Sequence, residues 1–282
     1  MQQADSDKIF PNSSRFFINL PHYRIDTFLA DKATTLVVTF EPMGRIKEFG
    51  SNRRGWGVSF LQEQGCSVMA VMVKEYDWYR KPDLKAFFMQ MRQCGFFRSF
   101  EQVVTYGGSM GGFAALAHAD AVNAAVVLSI NPQATLSAQL APWETRFDHG
   151  RKQDWQGELA HAADGFKQVQ AAYVVYDPLF PLDAKHVSVL AAGNPQLVRL
   201  KIPVVGHHMP KWMAEMGLLK STLTDILAGQ FSVQHFHHEA RKRRLIKRYW
   251  LMLAAQPRVV KSARFTQIAR HYAATYGFPL PD

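Results

Sequence analysis

Short apolar runs recur along the chain, each bounded by charged residues, glycine or proline. Arg15–Asn19, Thr35–Phe40, Ser67–Val73, Gln102–Tyr106, Ala124–Ile130, Ala171–Tyr176 and Leu197–Val205 are rich in Val, Thr and aromatic residues, the composition of strands. Thr35–Phe40, Ser67–Val73 and Ala124–Ile130 show no polar alternation. A strand apolar on both faces is one covered by helices on both sides, as in a mostly parallel sheet. Between the runs, Trp56–Gln64, Asp83–Gln93, Met110–Ala119, Asp183–Ala192 and Lys211–Ala228 carry helical patterning. This alternation predicts an α/β fold with a doubly wound sheet.

Two stretches break the rhythm. About forty residues separate the strand ending at Ile130 from the one starting at Ala171, far more than an ordinary connection needs. This predicts a lid-like insertion at about 132–170. After residue 229 the alternation stops, and Phe236–Ala254 and Ser262–Tyr276 read as two helices joined at Gln256-Pro257. In the first, Leu245, Tyr249 and Met252, with Ile246, Trp250 and Leu253, form an apolar stripe. The expected organisation is therefore a domain over 1–229 and a basic helical extension over 230–282.

Charge separates the same two parts. The net charge of the 282 residues is +10, yet 230–282 hold ten Lys/Arg and two acids, Glu239 and Asp282. A nearly neutral body thus carries a basic tail, which predicts an anionic partner or self-association through 230–282. No helix-turn-helix, RNA-recognition or zinc-finger pattern accompanies the charge. Two cysteines, Cys66 and Cys94, exclude a disulfide framework; both are expected to be small buried thiols. His235, His237 and His238 stand without a cysteine nearby and do not match a zinc signature, so no metal site is expected. The first ten residues have no basic-then-apolar signal pattern and no run approaches a membrane span. The expectation is a cytoplasmic protein.

Chemistry concentrates at Tyr106-Gly107-Gly108-Ser109-Met110-Gly111-Gly112, which contains Gly-x-Ser-x-Gly between an expected strand and an expected small-residue helix. A serine on such a turn is thrust out of the sheet edge, and the flanking glycines leave room for the neighbouring strand and helix. The helix beginning at Met110 points its amides towards a developing oxyanion. Serine needs a base, and the base needs an acid that fixes its tautomer. Two later strands end in Asp177-Pro178-Leu179-Phe180-Pro181-Leu182-Asp183 and Gly206-His207-His208, and both ends fall on the carboxyl edge of the sheet.

Over roughly residues 14–229 these three motifs resemble the α/β-hydrolases. The resemblance implies Ser109 as nucleophile, His207 as base with His208 as the alternate, and Asp177 as acid with Asp183 as the alternate. It also implies an oxyanion hole built from the Met110 amide and one from Phe40 or Glu41, although the lipase His-Gly-Gly-Gly is replaced by Phe-Glu-Pro-Met-Gly. Tyr76 and Trp78 are candidates to line the substrate pocket, and Arg53 to hold an anionic group. Together with Asn131-Pro132-Gln133, the motifs are also similar to uncharacterised bacterial hydrolases linked to surface-polysaccharide synthesis. The expected function is a serine esterase working through an acyl-enzyme, without cofactor, on a small-molecule or glycan-linked ester. An acyltransferase on the same triad and a catalytically silent scaffold binding an anionic polymer are the alternatives.

Overall fold

The computed structural model describes residues 14–50 and 52–280. The first ten residues, on which the signal-peptide expectation rests, and Asp282 lie outside that range.

Eight strands form one sheet in the order β1-β2-β4-β3-β5-β6-β7-β8. They are β1 Ser14–Asn19, β2 Tyr23–Leu29, β3 Thr35–Phe40, β4 Ser67–Val73, β5 Gln102–Gly108, β6 Val126–Ile130, β7 Ala171–Tyr176 and β8 Leu197–Lys201. β4, β3, β5, β6 and β7 run parallel, while β2 pairs antiparallel with both β1 and β4. All seven residues of β4 are buried, as expected for a strand covered on both faces. The helices between strands are α1 Arg45–Phe49, α2 Val58–Glu63, α3 Pro82–Gln93, α4 Met110–Ala117, the short α5 Asp148–Arg151 and α6 Pro181–Ala191.

The sequence pattern does not announce β2, because Arg24 and Asp26 interrupt its apolar residues. Asp26 is nonetheless fully buried. Its carboxylate accepts from Arg15 Nε (3.0 Å), Arg15 Nη2 (2.8 Å) and the Gly55 amide (3.0 Å). A buried carboxylate is tolerable only with such partners. Leu197–Val205, predicted as one strand, stops at Lys201; Pro203 follows, and Val204 (φ 67°) and Gly206 (φ 65°) turn the chain away.

The chain divides into two compact units: one runs through Val175 and includes Lys185–Arg199, and the other comprises Tyr176–Ala184 and the residues from Leu200 onward. In the first, residues 131–170 contain little regular structure but many buried groups. Glu144 is buried and accepts from Arg146 (Nη2, 2.6 Å) and His186 Nε2 (2.9 Å). His186 Nδ1 in turn accepts from the Ala134 amide at 3.0 Å, which assigns the ring proton to Nε2. Arg146 and His186 hold the Glu144 carboxyl well below the ordinary range, outweighing its burial. Arg80 donates to the carbonyls of Asp154, Gln156 and Leu159 and lies over the Trp155 ring.

His118 is enclosed in the same unit, with its Nε2 2.9 Å from the Tyr79 carbonyl and its ring stacked on Phe40. Burial pushes its imidazole down from 6.5 to about 4. The folded state thus holds it neutral while the unfolded chain takes up a proton below pH 6.5. Its contribution is complete above that value and declines as the pH falls towards 4. Denaturant unfolding at neutral and at mildly acidic pH should show stability falling by an amount that rises to about 2–3 kcal/mol. His118→Gln should remove one proton's worth of that slope.

In the second unit the later helices are α7 Met209–Glu215, α8 Leu218–Leu227, α9 Val233–Glu239, α10 Lys247–Ala254, α11 Pro257–Val260 and α12 Ala263–Thr275. The single helix predicted over Phe236–Ala254 is broken: a 3-10 turn spans Ala240–Leu245, and Ile246 is extended (φ −114°, ψ 118°). Six basic residues lie within Arg241–Arg248, and like charges at helical spacing repel one another, which disfavours one continuous helix there. The predicted stripe is only partly buried, because Tyr249 and Trp250 are enclosed whereas Leu245 is 64% exposed. Of the cysteines, Cys66 is buried and its thiol is pushed up to about 11 by burial, but Cys94 is exposed, contrary to expectation.

Candidate active site

β5 runs into Ser109, which adopts φ 52° and ψ −116°, and α4 begins at the next residue. A non-glycine residue at such a φ is strained. The turn is over-determined by its surroundings: the Ser109 amide donates to Ile130 O (2.8 Å) and its carbonyl accepts from the Phe113 amide (3.0 Å). The flanking glycines are sterically required. A Cβ on Gly107 would lie 2.0 Å from Gly111 O, and one on Gly111 would lie 2.1 Å from Phe40 O. The latter approach also sets the first turn of α4 against the end of β3, where Phe40 and Glu41 are both fully buried. Met110, at the start of α4, is buried as well.

Ser109 has a neighbour that the sequence reading used only as part of a resemblance. Gln133, fully buried on the segment after β6, places Nε2 3.4 Å from Ser109 Oγ. Its Oε1 accepts from Trp78 Nε1 at 3.0 Å. An indole nitrogen only donates, so this bond settles which way the amide faces: its NH2 group is directed at the serine. No local pattern signals this contact, because the two residues are 24 positions apart and joined through the sheet.

Trp78 and Tyr79 occupy successive left-handed conformations (φ 56° and 57°) and are fully buried. The loop is locked by Asp77, which accepts from Tyr23 Oη (2.6 Å) and the Tyr79 amide (2.9 Å), and by Tyr79 Oη, which donates to Glu41 O (2.8 Å). Burial is the main cause holding the Asp77 carboxyl above its usual value. Trp78 therefore offers no open face to a ligand and is linked to the serine through Gln133, whereas Tyr76 is half-buried.

Arg53 is taken up internally. It donates Nε to Glu41 Oε2 (2.9 Å), Nη2 to Glu41 Oε1 and to Val73 O (2.8 Å), and Nη1 to Gly50 O (2.8 Å). Its directed donors support a turn, which differs from the expected grip on an anionic substrate. Removing Arg53 leaves the buried Glu41 carboxylate with the Val73 amide (2.9 Å) and the more distant Arg45 Nε (3.8 Å), so Arg53→Met should lower unfolding stability by about 3 kcal/mol. Denaturant titration measures this.

The second unit holds Asp177 and Asp183, which follow β7, and His207 and His208, which follow β8. Asp183 lies in the first turn of α6 and is fully buried; both its oxygens meet His207 Nδ1, at 2.8 and 3.0 Å. An ionised carboxylate only accepts, so Nδ1 carries the proton and Nε2 keeps its lone pair. Asp177 has other partners. Its Oδ2 accepts from the Val205 and Gly206 amides (2.8 Å each) and its Oδ1 from Leu179 N (2.8 Å). It shapes the strained loop that presents His207 rather than touching the imidazole. His208 is exposed at the start of α7.

The basic extension belongs to this same unit. Arg248 donates to Glu215 Oε2 (2.7 Å) and lies over the Trp212 ring (4.0 Å), and the Met252 methyl would be 3.7 Å from a Cβ on Gly206. Residues of α10 therefore pack next to the loop that carries His207. Among the described residues, no group of three or more His, Cys, Asp or Glu is arranged to hold a metal, and no helix is long and apolar enough to cross a membrane.

The mostly parallel sheet, the serine turn from β5 into α4 and the loops that follow β7 and β8 make this an α/β-hydrolase-like fold. The solved structures that share it include a capsule O-acetyltransferase, a hydrolase and an esterase. The capsule O-acetyltransferase of Neisseria meningitidis serogroup A is 13% identical with a TM-score of 0.50, covering 71% of this chain and 92% of that one. The S-formylglutathione hydrolase of Staphylococcus aureus is 11% identical with a TM-score of 0.50, covering 76% and 99%. A Pyrococcus furiosus esterase is 13% identical with a TM-score of 0.52, covering 81% and 94%. No family model and no curated protein matches the sequence.

Proposed function

We propose that the protein is a serine acyl-transfer enzyme that hydrolyses a carboxylic ester, with Ser109 as nucleophile, His207 as general base and Asp183 as the acid that orients it. The observation carrying this reading is the pairing of buried Asp183 with His207 Nδ1, in a chain that also holds Ser109 on a strained elbow. In the proposed cycle His207 Nε2 takes the Ser109 hydroxyl proton as Oγ attacks the ester carbonyl. The Met110 amide and the N-terminal end of α4 stabilise the tetrahedral oxyanion, joined by an amide from Phe40 or Glu41. Collapse expels the alcohol, which takes the proton from His207 and leaves an acyl-serine. Water, activated by the same imidazole, then releases the acid and restores Ser109.

A second reading replaces that water with an acceptor hydroxyl. It is favoured by the likeness to a capsule O-acetyltransferase, which also makes an acylated carbohydrate the preferred substrate class. The decisive experiment is intact-mass analysis after exposure to a fluorophosphonate, with peptide mapping of the adduct. One adduct on Ser109 supports the relay; no adduct, together with no ester turnover, counts against it. Adding oligosaccharide acceptors to an acetyl-ester donor then separates transfer from hydrolysis.

Within this reading Gln133 is a positioning residue that holds Ser109 Oγ from one side. Gln133→Leu should lower kcat and the rate of fluorophosphonate labelling together, by about 10- to 100-fold. Gln133→Glu retains the acceptor for Trp78 but loses the donor. It should show the same loss with an unchanged near-ultraviolet tryptophan spectrum, a result that a purely structural role would not produce.

A further inference from the structure

The helical extension contains a cavity of about 530 Å³, within the range of sites that hold small molecules. It is formed by α10, α11 and α12, which pack on one another. Leu253, Val259, Phe265 and Ile268 line it together with Trp250, Tyr272 and other aromatic residues, and Arg244 and Arg258 contribute the only charges. Its wall is fixed by Trp250, which donates Nε1 to Arg244 O (2.8 Å) and packs on Tyr276 at 5.3 Å between ring centroids. Arg258 lies over Phe265, 5.0 Å from the ring centroid.

Two properties restrict what could occupy this cavity. First, it is unneutralised. Among the described residues of the extension the one acid, Glu239, is held by Lys242. Neither Arg244 nor Arg258 has an acidic partner among the described residues. Second, the lining includes no Asp, Glu, Asn, Gln, Ser or Thr. Its polar side-chain groups are the two guanidinium groups, the Trp250 indole N–H and the hydroxyls of Tyr249, Tyr272 and Tyr276. The chemistry fits a molecule with an apolar body and one anionic end. Around the cavity, Ile268 (41%) and Tyr272 (54%) are exposed, as are Leu251 and Val260 on the same helices.

We infer that this cavity docks the protein on an anionic phospholipid surface: acyl chain enters between Leu253, Val259 and Ile268, and the lipid phosphate meets Arg244 and Arg258. Exposed apolar side chains beside basic ones are what an interfacial helix uses to enter the headgroup region, with anionic lipid adding to the attraction. The site does not depend on the assignment of Ser109, since it shares no residue with the proposed relay.

Vesicle co-sedimentation of the full chain tests this, using phosphatidylcholine alone and phosphatidylcholine mixed with phosphatidylglycerol. The expected result is binding to the mixed vesicles that weakens at high salt, with little binding to neutral ones. Arg244→Glu with Arg258→Glu should weaken binding by about tenfold or more. Ile268→Ser should weaken it while leaving the salt dependence intact. If the double variant does not fold, Arg258→Glu alone, at an exposed position, carries the charge test. The proposal is overturned by equal binding to neutral vesicles, by no binding to either, or by variants that bind like wild type. Salt-sensitive retention on heparin without vesicle binding would assign the site to a soluble polyanion instead. A dimer in light scattering that Ile268→Ser dissociates would assign the face to a second copy of the chain.

Discussion

Ser109→Ala is expected to lower kcat for ester hydrolysis by about 10⁶-fold, leaving only the slow reaction supported by binding and the oxyanion donors. Without Oγ no acyl-enzyme forms, and the orientation of His207 has nothing to act on. The variant should fold normally, because the elbow is held by backbone contacts: Ser109 N to Ile130 O, and Phe113 N to Ser109 O. Its unfolding midpoint should therefore stay close to that of the wild type while turnover and fluorophosphonate labelling disappear. Turnover that survives the substitution would remove Ser109 from the mechanism. A protein that turns over no ester in its wild-type form would revive the silent scaffold.

The second large effect separates two aspartates that the sequence leaves as alternatives. Asp183→Asn should reduce kcat by about 10⁴-fold, with little change in stability. An amide presents an NH2 group to His207 Nδ1, which favours the tautomer with its proton on Nε2 and abolishes the base. Asp177→Asn should behave in the opposite way. It removes the carboxylate that accepts from Leu179, Val205 and Gly206, so at least one buried amide loses its acceptor and stability should fall by about 1–3 kcal/mol. Turnover well below the unfolding temperature should fall far less than in Asp183→Asn. Measuring kcat and denaturant midpoints for both variants checks this, and an interchange of the two phenotypes would make Asp177 the acid.

The difference between Asp177 and Asp183 shows where sequence reading runs short. Both follow β7, both precede His207, and both have side chains that suit an acid or a turn. Pro181 opens α6, which puts Asp183 in the first turn of the helix, where its carboxylate meets the imidazole. Such a choice depends on a path of two or three residues through space, for which spacing along the chain has no resolving power. The same limit applies to Trp78. Its aromatic character suggested a ligand-facing surface, yet the left-handed backbone at Trp78 and Tyr79 turns both rings into the core.

Local chemistry determined much of the rest. Strands buried on both faces are largely apolar, so the central strands β3 to β7 are legible as runs rich in Val with Thr, Met, Ala and aromatic residues. A strained serine turn must have small neighbours, so Gly107 and Gly111 mark it in the sequence, and the close approach of Gly111 O and Phe40 O to where a Cβ would stand supplies the reason. Tertiary structure alone decided the partners of buried polar groups: Asp26 with Arg15 in a strand the pattern missed, Arg53 with Glu41, Gln133 between Trp78 and Ser109, and His207 with Asp183. Apolar burial is non-directional and leaves a periodic trace along the chain, whereas a buried hydrogen bond is directional and joins residues that only the fold brings within about 3 Å.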